Sequence, residues 1–201
     1  LDTRPWHVVA AVMSSGRVVS IVSIEPTAPP RLLFVCTGNA TRSVIGAALV
    51  AREYPQWPVA SAGTFAIPGL TSSVRTLAAL TAVSVTATGH RRTTLTDEHC
   101  AEADVVITFE CDHVRFIRKR FPAAAERTLT LPCLARLASK STGDITWSLP
   151  TDLAEQPLQP WMQINDPAGG QVEDFIACAR EIETELVPLL PLLARLRRAP
   201  V

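Results

Sequence analysis

The chain has 201 residues, of which 47% are hydrophobic and 19% are charged, and its formal net charge is zero. That much apolar material is enough for one sizeable core, so we expect one main domain. A neutral charge balance without a long basic run argues against nucleic acid or an anionic membrane surface as a partner. Any anionic ligand must therefore be bound by a local site.

The cysteines are odd in number and show no C-x-x-C spacing, which fits neither a disulfide scaffold nor a zinc site. We therefore expect a reducing, cytoplasmic setting and no metal. The apolar stretches are interrupted before the roughly 18 residues that a membrane span needs. The cysteines are Cys36, Cys100, Cys111, Cys133 and Cys178.

Residues 1–30 form an N-terminal extension with its own pattern. Two β-branched runs, Trp6–Val12 and Arg17–Ile24, are separated by Ser14-Ser15-Gly16 and predict a β-hairpin. The proline-rich stretch Pro26–Pro30 then predicts a tether. An equally weighted alternative is that part of the extension precedes the natural start, because Met13 is the first methionine.

From Arg31 onward, buried strands alternate with helices, which predicts a parallel α/β sheet in a domain of residues 31–201. Prolines 188 and 191 should kink or end the last helix. The predicted strands are 32–35, 59–62, 103–109 and 128–131, and the predicted helices are 44–54, 71–80, a short one from 96, 112–121 and 172–198.

The segment 139–163 breaks this alternation with three prolines, Gly143 and two tryptophans. Long segments of this kind in compact domains are usually lids or binding loops. We interpret it as a loop beside the site. Its tryptophans are more consistent with packing the loop onto the core than with direct substrate contact.

The segment Cys36–Ser43, Cys-Thr-Gly-Asn-Ala-Thr-Arg-Ser, lies between a buried strand and a helix. A tight loop in this place binds phosphate through its backbone N–H groups and the helix N-terminus. Gly38 permits a positive φ, Asn39 tolerates the left-handed region and can brace the loop, and Arg42 can bind two phosphate oxygens. The same donors favour a thiolate, so Cys36 is a candidate nucleophile for a phosphocysteine intermediate.

Ser43 can donate its hydroxyl hydrogen to the thiolate of Cys36, which helps the thiolate to form and later to leave. A bare C-x5-R spacing would more often be a buried cysteine followed by a surface arginine. The strand before the cysteine, the Gly-Asn pair within the loop and the helix after it favour the functional interpretation.

A thiolate that displaces a phosphoryl group needs a general acid to protonate the leaving group. Asp166 is our candidate, because Pro167 fixes its turn and Gly169-Gly170 allows the loop to approach the cysteine. On its own, Asp-Pro is a common turn. The cysteine loop is what makes a catalytic role the better interpretation.

These residues resemble the low-molecular-weight protein tyrosine phosphatases, whose signature is Val-Cys-x-Gly-Asn-x-x-Arg-Ser after a strand and an Asp-Pro loop near the end. Val35–Ser43 and Asp166-Pro167 match it, as do Ser61–Thr64, Gly89-His90 and Ala103–Ile107. The resemblance implies a four-stranded parallel sheet flanked by helices. It also implies hydrolysis of phosphotyrosine-type phosphomonoesters on phosphoproteins through phosphocysteine, without a metal or cofactor.

The resemblance further implies the roles of individual residues. Cys36 is the nucleophile, Arg42 is the phosphate clamp, and Asp166 is the acid and then the base. Ile67 corresponds to one wall of the substrate slot, and His90 to a bracing residue, with a surface turn histidine as the alternative. The remaining phosphate-binding residues are Thr37, Gly38, Asn39, Ala40, Thr41 and Ser43.

Four positions depart from the family pattern. Thr41 stands where many members have a second cysteine, so protection of the nucleophile by a disulfide should be absent. Val44 replaces the usual proline. Ala168 and Gly169 stand where aromatic residues are common, which removes a face for a phosphotyrosine ring and leaves tyrosine specificity open.

Two rival functions remain. A thioredoxin-linked arsenate reductase would need cysteines such as Cys100 and Cys111 to act as a relay, although a predicted strand separates them. A non-catalytic phospho-ligand binding module would be favoured if Asp166 lay far from Cys36.

A weak homodimer is a further possibility, with the N-terminal hairpin pairing with a sheet edge or a second chain.

Overall fold

The computed structural model describes residues 9–14, 17–23, 29–140 and 159–194. Strands β1 (Val9–Ser14) and β2 (Arg17–Ser23) pair antiparallel in a two-stranded sheet of their own. Residues 24–28, which include part of the predicted tether, and residues 141–158, most of the predicted loop, lie outside the described residues. The division into an extension and a phosphatase domain stays a prediction.

The main sheet has four parallel strands, as predicted. They are β3 (Leu32–Cys36), β4 (Val59–Gly63), β5 (Val105–Thr108) and β6 (Thr128–Thr130), in the spatial order β4-β3-β5-β6. Cys36 is opposite Gly63, and Val35 is opposite Thr108. The carboxyl ends of the two central strands therefore meet at one edge of the sheet, where open α/β sheets bind their ligands.

Seven α-helices cover the two faces of this sheet in the described residues. Short 3₁₀ turns lie at Pro122–Arg127, Pro160–Met162 and Val187–Leu189. The helices are α1 (Arg42–Glu53), α2 (Val74–Ala82), α3 (Asp97–Glu102), α4 (Cys111–Arg120), α5 (Leu131–Lys140), α6 (Val172–Leu186) and α7 (Leu190–Leu193).

The central strand β3 is buried on both faces, which explains why its sequence is an uninterrupted apolar run. Leu32 and Phe34 face the larger core cluster, which includes apolar residues of α1, α5 and α6. Leu33 and Val35 face a smaller cluster that includes Ile117 of α4. This alternation fixes the register of β3 and so the position at which Cys36 emerges.

The clearest differences from the predicted elements concern three helices. Helix α2 begins at Val74 rather than at residue 71, because the Ser73 side chain accepts the Thr76 N–H and caps the helix there. Helix α5 was not predicted; its Pro132 suits a first helical turn, where no N–H partner is needed. The last predicted helix is divided at the 3₁₀ turn that contains Pro188.

Trp161, at the end of the predicted loop, lies beneath the Arg136 guanidinium of α5, 4.5 Å from the ring centre. Because Trp161 is 43% exposed and Arg136 is a surface residue, the packing of the tryptophans onto the core stays a prediction. In the described part of the chain, the helices are too short or too polar to cross a membrane.

Candidate active site

The loop Cys36–Ser43 connects the end of β3 to the start of α1. Cys36 is the last residue of the strand and Arg42 is the first residue of the helix. The first N–H groups of a helix have no partner within it and carry its positive dipole end. The loop therefore places a thiol and a set of N–H donors around the same point.

The loop bends at Asn39, which has a φ of 47°. Of the two residues that the sequence offered for a positive φ, Asn39 adopts it and Gly38 does not. Asparagine tolerates the left-handed region because its short side chain can hydrogen-bond locally. Asn39 is fully buried, so these hydrogen bonds are made with protein groups.

The Asn39 side chain organises the loop around the sulfur. Its Oδ1 accepts the Thr93 N–H at 2.8 Å, which fixes the orientation of the amide. Its Nδ2 then donates to Ser61 Oγ at 2.9 Å and to Ser43 Oγ at 3.0 Å. Because Ser43 accepts from Asn39, its own hydrogen can point to Cys36 Sγ, 3.1 Å away. This chain of donors stabilises negative charge on the sulfur.

His90 lies against the same loop, with Nε2 donating to the Asn39 carbonyl at 3.0 Å. The neighbouring strand end adds two more contacts, since Thr64 N–H donates to the Cys36 carbonyl and Phe65 N–H to the Thr37 carbonyl, each at 2.9 Å. The structure thus places His90 where the resemblance implied, although the stretch after β4 contributes equally direct support.

Gly63 allows this close approach. A Cβ at this position would lie 2.6 Å from the Thr37 carbonyl oxygen and 2.8 Å from Asn39 N, and both are backbone atoms that cannot move aside cheaply. The functional importance of this glycine could have been suspected from its place at the end of a strand.

Arg42 has 1% of its surface exposed, and its guanidinium contacts three acceptors. Nη1 donates to the Ile164 carbonyl at 2.9 Å and lies 3.0 Å from Glu110 Oε2, whereas Nη2 donates to Asp166 Oδ2 at 2.6 Å. The predicted acid therefore lies against the predicted clamp. Asp166 Oδ1 accepts the Ala168 N–H at 3.0 Å, which shapes the Asp-Pro turn.

Two neighbours of the loop were not predicted. Glu110, which follows β5, contacts Arg42, and His113 of α4 places Nε2 3.0 Å from Thr37 Oγ1. The position of Glu110 just after a central parallel strand is a signal that could have identified it. Nothing in the sequence around His113 distinguishes it from a core histidine.

The remaining predicted residues occupy different surroundings. Thr41 is buried and its hydroxyl lies 2.9 Å from Thr76 Oγ1 of α2, so the threonine joins the loop to that helix. Ala40 is half-buried in the loop. Ile67 is 64% exposed and Phe65, two residues earlier, is 71% exposed. Both side chains lie at the surface. The role of Ile67 as a wall stays a prediction.

Comparison with known proteins agrees with this geometry. The family model of the low molecular weight phosphotyrosine protein phosphatases matches residues 31–146, more than half of the chain. The chain belongs to this family. It is a cysteine-dependent phosphatase of the low-molecular-weight class, as the signature predicted.

This phosphatase is 35% identical over 157 residues to a protein-arginine-phosphatase of Geobacillus stearothermophilus, covering 78% of the chain and 90% of the relative. It is 28% identical to a protein-arginine-phosphatase of Bacillus subtilis, covering 83% and 99%. A solved structure of the YwlE arginine phosphatase from Geobacillus stearothermophilus has a TM-score of 0.65, with 34% identity and coverage of 82% and 93%.

The tyrosine phosphatase amsI of Erwinia amylovora has a TM-score of 0.64 and 20% identity, covering 85% of this chain and 95% of that one. At that identity, the likeness concerns the fold. The same fold is therefore found in a protein named an arginine phosphatase and in one named a tyrosine phosphatase.

Cys100 and Cys111, the two cysteines proposed for an arsenate reductase relay, are poorly placed for it. Cys100 belongs to the core cluster on one face of the sheet and Cys111 to the cluster on the other. Burial raises the pKa of the Cys100 thiol to about 11 and also raises the pKa of Cys111. Buried, protonated thiols on opposite faces do not form a disulfide relay.

Proposed function

We propose that this phosphatase transfers the phosphoryl group of a phosphoprotein to Cys36 and then to water. The observation that carries the proposal is two contacts among four predicted residues: Ser43 Oγ lies 3.1 Å from Cys36 Sγ, and Arg42 Nη2 lies 2.6 Å from Asp166 Oδ2. A non-catalytic binding module has no need for a carboxylate at this position.

In the proposed first step, the Cys36 thiolate attacks phosphorus while the bond to the leaving group breaks. The leaving atom takes the electron pair of that bond and a proton from Asp166. Arg42 and the loop N–H groups bind the non-bridging oxygens, whose negative charge they stabilise throughout.

In the second step, water attacks the phosphocysteine, and Asp166, now a carboxylate, accepts the proton of the water. The sulfur leaves as a thiolate stabilised by the Ser43 hydroxyl, and the released phosphate completes the cycle. The prediction that this chemistry needs no metal or cofactor stays a prediction.

Phosphotyrosine-type esters are the first candidate substrate, because they match the family. The exposed Phe65 and Ile67 supply apolar surface beside the loop. The aromatic face that the family often provides after Asp-Pro is absent, since Ala168 and Gly169 follow Pro167.

Phosphoarginine is a second candidate. It is favoured by an acidic cavity beside the Asp-Pro turn and by the similarity of this chain to two protein-arginine-phosphatases. A cavity of about 350 Å³ beside the Asp-Pro turn is lined by the carboxylates Asp166, Asp174 and Glu181. A guanidinium leaving group is cationic and suits such a lining, whereas a tyrosine ring gains little from it.

Hydrolysis of two peptides that differ only in phosphotyrosine or phosphoarginine separates these candidates. The acidic cavity predicts a higher kcat/KM for phosphoarginine, and the Glu181→Gln variant should reduce that preference. Equal rates for both peptides, or a preference for phosphotyrosine that Glu181→Gln leaves unchanged, would favour the first candidate.

We also infer a reducing, cytoplasmic setting. A nucleophilic thiol is readily oxidised in an oxidising compartment, and all five cysteines are free and buried. Thr41 cannot form a protective disulfide with Cys36. A weak homodimer and the absence of nucleic acid partners stay predictions.

A further inference from the structure

His113 is a buried histidine that the two-step reaction does not use. It has 4% of its surface exposed and lies on the first turn of α4, directly beside the cysteine loop. A buried ring with both nitrogens engaged next to a reactive loop calls for a physical account.

The hydrogen bonds of His113 determine its tautomer. Nδ1 accepts the backbone N–H of Glu110 at 3.2 Å, so this nitrogen carries no proton. Burial, reinforced by the nearby Arg42 guanidinium, lowers the pKa of His113 to about 4. At neutral pH the ring is therefore uncharged and its single hydrogen is on Nε2.

That Nε2 hydrogen is directed at the active site. Nε2 lies 3.0 Å from Thr37 Oγ1 and 3.3 Å from Glu110 Oε2. Because Nε2 donates, Thr37 Oγ1 accepts, and the hydroxyl hydrogen of Thr37 is left for another acceptor. Nε2 cannot remove the Thr37 proton, which distinguishes the arrangement from a nucleophile activated by histidine.

Glu110 connects this histidine to the phosphate clamp. Its Oε2 lies 3.0 Å from Arg42 Nη1, and its own N–H is the group that His113 caps. The Glu110 side chain is 28% exposed, whereas Arg42 is almost completely buried. Glu110 at Nη1 and Asp166 at Nη2 together hold the buried guanidinium from two sides, which fixes its orientation.

We propose that Glu110 and His113 are positioning residues that orient Arg42 and Thr37 for phosphate before the substrate binds. Glu110 acts through the guanidinium and His113 acts through the Thr37 hydroxyl, which becomes an additional donor to the bound phosphoryl group. This inference rests on the proposed function, because it assumes that the Cys36 loop binds phosphate.

The direct test is the dissociation constant of inorganic phosphate, measured by calorimetry on the full chain. Glu110→Gln keeps the size of the side chain and removes its charge; we expect about tenfold weaker phosphate binding. Glu110→Asp should recover part of the affinity. Binding that is as tight as or tighter than in the wild type would overturn the inference, because it would mean that Glu110 competes with phosphate for Arg42.

A pair of substitutions separates positioning from folding. His113→Asn keeps an acceptor near the Glu110 N–H but cannot reach Thr37, so it should preserve the melting temperature and weaken phosphate binding severalfold. Thr37→Val removes the same hydrogen bond from the other side. Both substitutions remove the same hydrogen bond between His113 and Thr37. The double variant should therefore bind phosphate as tightly as whichever single variant binds it more weakly. Additive losses would contradict the coupling of these residues.

Arg115→Gln provides the matched control, because it lies on the same helix in a surface ion pair with Asp112 and should change nothing. If the wild type itself binds no phosphate, the proposed function fails. If the wild type binds and both the Glu110 and His113 variants bind equally well, only the positioning inference fails.

Discussion

Arg42 Nη2 lies 2.6 Å from Asp166 Oδ2, although the two residues are 124 positions apart in the chain. The contact brings the turn before α6 onto the first residue of α1. It also means that a phosphate that binds Arg42 arrives next to the carboxylate that should protonate the leaving group. The Arg42 guanidinium therefore both binds the phosphate and contacts the proton donor.

Asp166→Asn should lower kcat by roughly 100-fold or more on a substrate with a poor leaving group, because the amide cannot donate a proton to the leaving atom. The loss should be smaller with para-nitrophenyl phosphate, whose leaving group is stable without a proton. Steady-state rates on the two substrates check this. Asp112→Asn is the matched control, because its carboxylate is exposed at the surface. An equal loss on both substrates would argue against an acid role.

Asn39→Ala should destabilise the fold by about 2–4 kcal/mol, because it removes three hydrogen bonds of a buried side chain and leaves alanine at a positive φ. Asn39→Asp tolerates that φ and keeps the acceptor for the Thr93 N–H, so it should destabilise less. Urea denaturation measures both. If the two variants were equally stable, backbone strain and the Oδ1 acceptor would contribute little.

Gly63→Ala should abolish most activity, since its Cβ would meet backbone atoms of Thr37 and Asn39 and displace the cysteine loop. Gly69→Ala is a useful comparison, because Gly69 has a φ of 84° and no atom within 4 Å of the added Cβ. That variant should lose about 1 kcal/mol through strain while keeping its activity. Turnover and thermal denaturation of both variants separate steric displacement from backbone strain.

His113 should make folding stability depend on pH. The unfolded chain protonates this histidine below about pH 6.5, whereas the folded chain does so only near pH 4. The unfolded state therefore binds more protons between these values, and stability should fall as the pH falls, by up to about 3 kcal/mol. The groups facing the ring are Arg42, which opposes protonation, and Asp166, Asp112 and Glu110.

Denaturation of the wild type and of His113→Asn at pH 7 and pH 4.5 tests this dependence. The variant should lose much less stability on acidification, because an amide does not titrate. A parallel loss in both proteins would assign the pH dependence to other groups.

The sequence was sufficient to predict the sheet and the central residues of the site, because both depend on local patterns. A buried apolar run that ends in cysteine, followed by the Gly-Asn pair and by Arg-Ser before a helix, defines Cys36 and Arg42 within eight residues. The roles of Glu110 and His113 depend on the packing of α4 against the loop. A single sequence carries no local signal for such a contact between distant elements.

That Asn39 rather than Gly38 takes the positive φ has a related cause. Glycine is the residue that most readily takes a positive φ, so a Gly-Asn pair points first to the glycine. Here the hydrogen bonds of Asn39 with Ser61, Thr93 and His90 determine which residue turns. Ser61 lies in β4, and His90 and Thr93 lie in the segment after α2, so local propensity does not include these partners.

The most direct test of the account is to detect the phosphocysteine itself in the Asp166→Ala variant. This variant lacks the base for the second step, and para-nitrophenyl phosphate makes the first step less dependent on the acid. Rapid quenching followed by peptide mass spectrometry should find one phosphoryl group on the peptide that contains Cys36, together with a burst of nitrophenol equal to the enzyme concentration. Continued turnover in Cys36→Ser, or a phosphoryl group on another residue, would contradict the account.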